Sequence, residues 1–168
     1  MRVVRAVSPE QREAALALRF EVFVDEQGVS VDGERDALDD DPTTIHILVV
    51  SDDADAEAPS RADVLGVGRV LRPKDDGRPH VGRVAVPLAA RRTGVGTFLM
   101  EALERAALEA WAVDGEITVA LSAQVQAIPF YEAIGYTVYG ERYLDEGIWH
   151  RDAVKTVRPL AGDPTSRS

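Results

Sequence analysis

No cysteine occurs in the 168-residue chain, which excludes a disulfide framework, a thiolate nucleophile and a cysteine-based zinc site. Histidine is scarce: His46, His80 and His150 lie far apart and form no metal-ligand spacing, so no metal site is expected. Lysine is confined to Lys74 and Lys155, all other positive side chains being arginine. Acidic residues outnumber basic ones 29 to 19, for a formal net charge of -10. That balance opposes non-specific nucleic-acid binding, which depends on basic patches that neutralise phosphates. No apolar run approaches the roughly 20 residues needed to span a bilayer. Met1-Arg2-Val3-Val4-Arg5 leads into a polar segment rather than a signal-peptide core. A cytoplasmic protein without a nucleic-acid or membrane partner is expected.

What is present is a globular mixture, 45% hydrophobic and 29% charged, of a length that suits one domain with a substantial core. Residues 1–158 are read as that domain and 159–168 as a disordered tail. The acidic runs Asp36 to Asp41 and Asp52 to Asp55 read as solvated loops.

Residues 2–7 read as a strand. Ser8-Pro9-Glu10-Gln11 then supplies an N-cap, a first-turn proline and a capping-box glutamine. A helix with Leu16, Phe20 and Phe23 on its apolar face is expected as far as Val24, ended by Gly28. Strands follow over 45–50, 64–71 and 80–86, the last two separated by a proline-bounded turn. A second long helix is expected from Gly94 to about Val113, with Leu99, Leu103, Ala106 and Ala110 inward. Then come a strand over 116–122, a short helix over 126–134 closed by Gly135, and strands from Tyr136 and around 148–157. The order β-α-β-β-β-α-β-α-β implies an α/β (α+β) fold, a mixed central sheet with helices on both faces.

The chemistry concentrates where Val84-Ala85-Val86 runs into Pro87 and then Arg91-Arg92-Thr93-Gly94-Val95-Gly96-Thr97 at a helix start. Such a turn can aim the N–H groups of Thr93 to Thr97 at one anion, with the helix dipole adding positive potential. Arg91 or Arg92 would add charge. A pyrophosphate suits four orphan donors better than a single carboxylate does. A Rossmann fingerprint would need a third glycine near Leu99, and a P-loop would need Gly-Lys-Ser/Thr; both are missing.

Arg91-x-x-Gly94-x-Gly96 resembles the Gln/Arg-x-x-Gly-x-Gly/Ala signature of GNAT acetyltransferases, and Arg83-Val84-Ala85-Val86 resembles the strand before it. The resemblance implies that the turn holds the CoA pyrophosphate. It also implies that the main chain of Val84, Ala85 and Val86 binds pantetheine, in a gap facing Leu121-Ser122-Ala123. Ala127-Ile128-Pro129-Phe130-Tyr131 through Gly135-Tyr136 resembles the family's second motif, in which the residue at Tyr131 protonates the departing CoA thiolate. That transfer is expected to run downhill, from a phenol near pKa 10 to a thiol near 8.5. Phe130 and Tyr136 are expected in the core.

A narrower resemblance covers most of the chain. Arg19-x-x-Val22-Phe23-Val24-x-Glu26-Gln27 and Gly147-Ile148-x-His150 are similar to recurrent elements of the ElaA-like branch, which makes Glu26, Gln27 and His150 acceptor-site candidates. His46 and His80 are read as structural. The resemblance implies direct acetyl transfer from acetyl-CoA to a primary amine, on a small molecule or a protein, without a metal; dimers are common in this family. The acidic balance suits a cationic amine such as a polyamine, an aminoglycoside or a lysine side chain. Two rivals stand beside this reading: a non-catalytic acyl-CoA sensor, and a phosphate- or nucleotide-binding protein of another class.

Overall fold

A computed structural model describes residues 1–160. The tail expectation for 159–168 therefore falls mostly outside the described residues. The chain forms two compact units, Met1–Arg69 with Arg83–Leu103, and Val70–Gly82 with the chain from Glu104 on.

Strand β1 (Arg2–Arg5) opens the first unit. Helix α1 (Pro9–Arg19) follows, with both halves of the Ser8/Gln11 capping box made. The expected continuation to Val24 is corrected in type: from Phe20 to Glu26 the chain winds as a π-helix, and Gly28 ends it at φ +75°. The buried stripe is Ala14, Ala15, Leu18, Val22 and Phe23, while Leu16 and Phe20 are only half-buried.

After the short helix α2 (Val31–Glu34) come β2 (Ile45–Val50), β3 (Val64–Leu71) and β4 (His80–Ala85). Every residue of β2 is buried, as its β-branched and aliphatic run, interrupted only by His46, requires. Helix α3 (Val95–Trp111) begins against β3. A Cβ at Gly68 would lie 2.6 Å from Leu103 Cδ1, and one at Gly66 would lie 3.1 Å from Val95. These glycines let the first turns of α3 approach closely. The buried positions of α3 are Val95, Leu99, Met100, Leu103, Glu104, Ala107 and Leu108. Ala106 and Ala110, expected inward, are half-buried and exposed; the true stripe is the i, i+4, i+8 row through Leu99, Leu103 and Ala107.

The second unit is built on β5 (Ile117–Gln124), α4 (Ile128–Ala133), β6 (Thr137–Asp145) and β7 (Ile148–Val157). The strand order is β1-β2-β3-β4-β5-β7-β6. β1 pairs antiparallel with β2, β4 pairs parallel with β5 through His80↔Ala120 and Val81↔Leu121, and β7 pairs antiparallel with both β5 and β6. The sheet is mixed, as the element order implied. Among the described residues no helix is long and apolar enough to cross a membrane.

Candidate functional site

In the first unit β4 ends at Ala85, and a 3-10 turn over Leu88–Ala90 leads to the glycine turn. Arg92 and Gly94 both take positive φ, +62° and +89°. Positive φ at alternate residues is the backbone pattern of an anion-binding nest. The hydroxyl of Thr93 donates to the Ala90 carbonyl and fixes the loop. The first helical bond of α3 runs from Phe98 N–H to the Gly94 carbonyl at 3.1 Å, so the N–H groups of Val95, Gly96 and Thr97 lie outside the helix's own ladder. These donors fit a pyrophosphate.

The two arginines of the turn divide their work. Arg91 is engaged with protein: its Nε donates to the Val86 carbonyl at 2.9 Å, and one terminal nitrogen donates to both Glu26 carboxylate oxygens at 2.8 Å. The guanidinium thus braces the end of β4 and ties it to the last turn of the π-helix. It joins two sequence candidates, Arg91 and Glu26, that were assigned to different ligands. Arg92 is exposed and makes no ion pair among the described residues, which leaves it as the uncommitted cation of the turn. Gln27 caps the π-helix, its N–H donating to Val22 and Val24 carbonyls.

Behind β4 lies an assembly that the sequence reading missed. Arg19 Nε meets Glu34 at 2.6 Å and its terminal nitrogens hold Asp39 at 2.7 and 3.1 Å. Arg69 bonds Asp36 at 2.7 and 2.9 Å and Asp39 at 2.8 Å. Arg83, at φ +52°, donates to the carbonyls of Glu34 and Gly33, both at 3.1 Å, and lies 3.4 Å from Asp36 and Glu34. Arg19, Glu34, Asp39 and Arg69 are buried. The acidic run from Asp36 is therefore not simply solvated. Asp36 and Asp39 turn inward to neutralise arginines, whereas Asp52 at the other run stays exposed and pairs with the N-terminus.

Burial is the largest influence on Asp39, yet the Arg19 hydrogen bond and the charges of Arg19 and Arg69 hold its carboxyl below the usual range. The hydrogen bond from Arg69 lowers Asp36. Burial dominates at Glu34 and raises it despite Arg19. His46 is structural, as read: its Nε2 donates to the Asp39 carbonyl at 3.1 Å.

In the second unit Tyr131 is buried in α4, edge-on to Phe130 and Tyr136 at 5.1 and 5.7 Å. Its hydroxyl makes no hydrogen bond among the described residues, and burial raises the phenol to about 12. This corrects the expected direction of proton transfer. A phenol near 12 is a weaker acid than a thiol near 8.5, so full transfer to the thiolate is uphill by roughly 5 kcal/mol, and it would already be uphill from 10. Tyr131 is suited to donate a hydrogen bond to a thiolate, not to surrender its proton.

Tyr136 is core, as expected. Its hydroxyl donates to Glu104 at 2.9 Å, and the same carboxylate holds Lys155 at 2.8 Å. Burial and the charge of Glu104 push the Tyr136 phenol far up. Phe130, expected in the core, is only half-buried.

His150 sits on β7 opposite Gln124 and Tyr143. Its Nδ1 lies 2.7 Å from the Ile148 carbonyl; a carbonyl can only accept, so Nδ1 carries the proton and Nε2 keeps the lone pair when the ring is neutral. Tyr143 stacks on the ring at 6.1 Å, donates to Asp152 at 2.7 Å and is hydrogen-bonded to Ser122. Tyr143 and Asp152 were not singled out from sequence, and Ser122 entered only within the segment expected to face the pantetheine gap. The available signal was period two: Asp152 follows His150 by two residues on one strand and shares its face. Among the described residues no group of three or more His, Asp and Glu side chains is placed to hold a metal.

Comparison with known proteins gives the class. The acetyltransferase (GNAT) domain family matches residues 57–157. The uncharacterized N-acetyltransferase YjcF of Bacillus subtilis is 39% identical over 156 residues, 92% of this chain and 99% of that protein. The chain belongs to the GNAT acetyltransferase family. The crystal structure of an acyl-CoA N-acyltransferase from Pseudomonas aeruginosa matches with TM-score 0.76 and 31% identity over 92% of this chain and 99% of that one. Escherichia coli ElaA matches with TM-score 0.76 and 27% identity over the same shares.

Proposed function

We propose that this GNAT protein transfers an acyl group, acetyl as the expected case, from acyl-CoA to a primary amine by direct attack, without an acyl-enzyme stage. The observation that carries the donor half is the turn from Arg91 to Thr97, where two positive-φ residues precede three N–H groups outside the helix ladder. It offers a pyrophosphate site with Arg92 as added charge. Similarity to an acyl-CoA N-acyltransferase at 31% identity supports the same donor.

The reading gives Val84 to Val86 the pantetheine contacts and the N–H near Val86 the thioester carbonyl. Arg91 holds that segment through the Val86 carbonyl. Tyr131 stabilises the departing thiolate as a neutral donor, and Glu26, Gln27 and His150 belong to the acceptor side. The balance is simple: the ammonium first loses a proton to solvent, the free amine nitrogen bonds the acyl carbon, the carbon–sulfur bond breaks, and a second proton from that nitrogen ends on the thiolate, giving amide and CoA thiol. A thioester is already activated, so positioning and oxyanion stabilisation supply most of the acceleration.

The test is thiol release from acetyl-CoA across a panel of primary amines. The chain has no cysteine, so every thiol detected is CoA. Amine-dependent release is expected, and Arg92→Gln should raise the acetyl-CoA KM with little change in kcat. Acetyl-CoA binding without release for any amine would favour the sensor reading instead.

A further inference from the structure

The second unit carries a polar cluster of which the assignments above use only His150. The register places Ser122 opposite Asp152, Gln124 opposite His150, and His150 opposite Tyr143, so these five side chains share one sheet face. The other face of β5 is apolar and buried at Ile117, Val119, Leu121 and Ala123. The core therefore did not place these polar groups.

The hydrogen-bond direction is fixed by counting protons. Tyr143 has one, and gives it to Asp152 Oδ1. A carboxylate has none to return, so Ser122 must donate to the Tyr143 oxygen. The chain Ser122 to Tyr143 to Asp152 then ends in acceptors: the lone pairs of Ser122 Oγ, the second carboxylate oxygen of Asp152 and the Nε2 of His150. Among the described residues no cation pairs with Asp152. Across the parallel pairing with Ala120, the half-buried His80 lies within reach of the Asp152 charge, and its Nε2 is buried without a partner. A half-buried carboxylate short of a cation, ringed by lone pairs and a stacked Tyr143–His150 pair, matches a compact donor with several N–H bonds. The His and Asp groups do not assemble as a metal set.

We infer that Ser122, Tyr143, His150 and Asp152 form the subsite for the acceptor's primary ammonium group, which makes the substrate class a cationic amine rather than a neutral amine or an alcohol. This rests on the acyltransfer reading for the identity of the ligand as acceptor, but not for its binding. Asp152 supplies the counter-charge, and the hydroxyl chain holds Asp152 in place.

The experiment is an NMR titration of the full chain, with and without CoA, using cadaverine, spermidine, phenethylammonium and Nα-acetyl-lysine methylamide. 1,5-Pentanediol serves as the uncharged control, and parallel acetyl-CoA assays report turnover. At least one ammonium should shift Ser122, Tyr143, His150 and Asp152 while the diol does not. Asp152→Asn, which keeps an acceptor for Tyr143, should weaken that binding about 10- to 100-fold, the effect of losing a charge-assisted bond. In turnover the loss should fall on the amine KM, with the acetyl-CoA KM changed less than about twofold. Tyr143→Phe should give a smaller loss of the same kind. No shift with any ammonium, shifts elsewhere, equal shifts with the diol, or unchanged amine binding in Asp152→Asn would each overturn the subsite. Binding at these residues without turnover would keep the subsite and sink the transfer reading; turnover indifferent to Asp152→Asn would do the reverse.

Discussion

In the first unit Arg19, Arg69 and Arg83 meet Glu34, Asp36 and Asp39, so three guanidinium groups face three carboxylates. In the second, Asp152 meets the Tyr143 hydroxyl and, among the described residues, no cation. Both assemblies use polar groups on secondary structure, but one is neutralised internally and the other ends in open acceptors. A network whose charges are paired internally has little charge left to offer a ligand, the buried Arg69 Nε being its unpartnered donor among the described residues. What it does is fasten the segment from Glu34 to Asp39 to β3 through Arg69 and to β4 through Arg83, next to the strand end proposed to bind pantetheine. An open one costs little to the fold and is available for binding. Stability measurements and binding measurements should therefore separate the two.

The largest effect should come from breaking the closed network. Arg19→Ala leaves Glu34 and Asp39 buried without their main partner, which costs about 3–5 kcal/mol, or roughly 6 to 20 °C in Tm for a domain of this size. A loss below about 1 kcal/mol in chemical denaturation would show that the network is not closed as described.

Acid should act on the same network. Asp36 and Asp39 are held below their ordinary values, so the stability they contribute is present above the unfolded carboxylate value near 3.9 and lost as pH falls below it. Glu34 is shifted upward and works the other way, its contribution fading as pH rises through its folded value. The two aspartates should outweigh it, giving a net loss of stability below about pH 4. Asp39→Asn should flatten that loss, and an unchanged acid limb would contradict the assignment.

Tyr131→Phe removes a hydroxyl with no hydrogen-bond partner among the described residues, so Tm should move by less than about 2 °C. Turnover should fall roughly 10- to 100-fold, the value of a hydrogen bond to a charged group. Because the phenol sits near 12, Tyr131 should cause no decline in kcat up to about pH 10. A basic limb near pH 8.5 that vanishes in the phenylalanine variant would show that this phenol ionises there.

The smallest change is expected in the open cluster. Asp152→Asn should alter stability by less than about 1 kcal/mol, since it removes a charge that lacks a counter-ion among the described residues and keeps an acceptor. A loss comparable to that of Arg19→Ala would erase the distinction between the two assemblies.

The elements were legible because their signals are local. The Ser8/Gln11 capping box, the β-branched and aliphatic run of β2, and strands β3 and β7 fall where pattern and punctuation put them. The π-helical stretch from Phe20 was not legible, because apolar spacing over two turns scarcely distinguishes it from an α-helix. The inner row of α3 was misread by one position at Ala106, since alanine fits either side of a helix.

The glycine turn was readable as a motif, but the capture of Arg91 by Glu26 was not, because it joins residues 65 positions apart. The same holds for Asp39 and its arginines: in sequence a carboxylate run looks alike whether it faces water or buried guanidinium groups. Tyr143 and Asp152 were missed because their meaning lies in a cross-strand register that no single strand displays.

The central claim, that the turn after β4 anchors a CoA pyrophosphate, is tested most directly by thermal unfolding with acetyl-CoA, CoA, ATP and NAD at matched concentrations. At about 100-fold excess over the dissociation constant, linkage contributes ~2.7 kcal/mol, or roughly 5 to 10 °C. The account predicts that rise for acetyl-CoA and CoA alone, reduced in Arg92→Gln. No rise with either CoA ligand, or one confined to ATP or NAD, would contradict it.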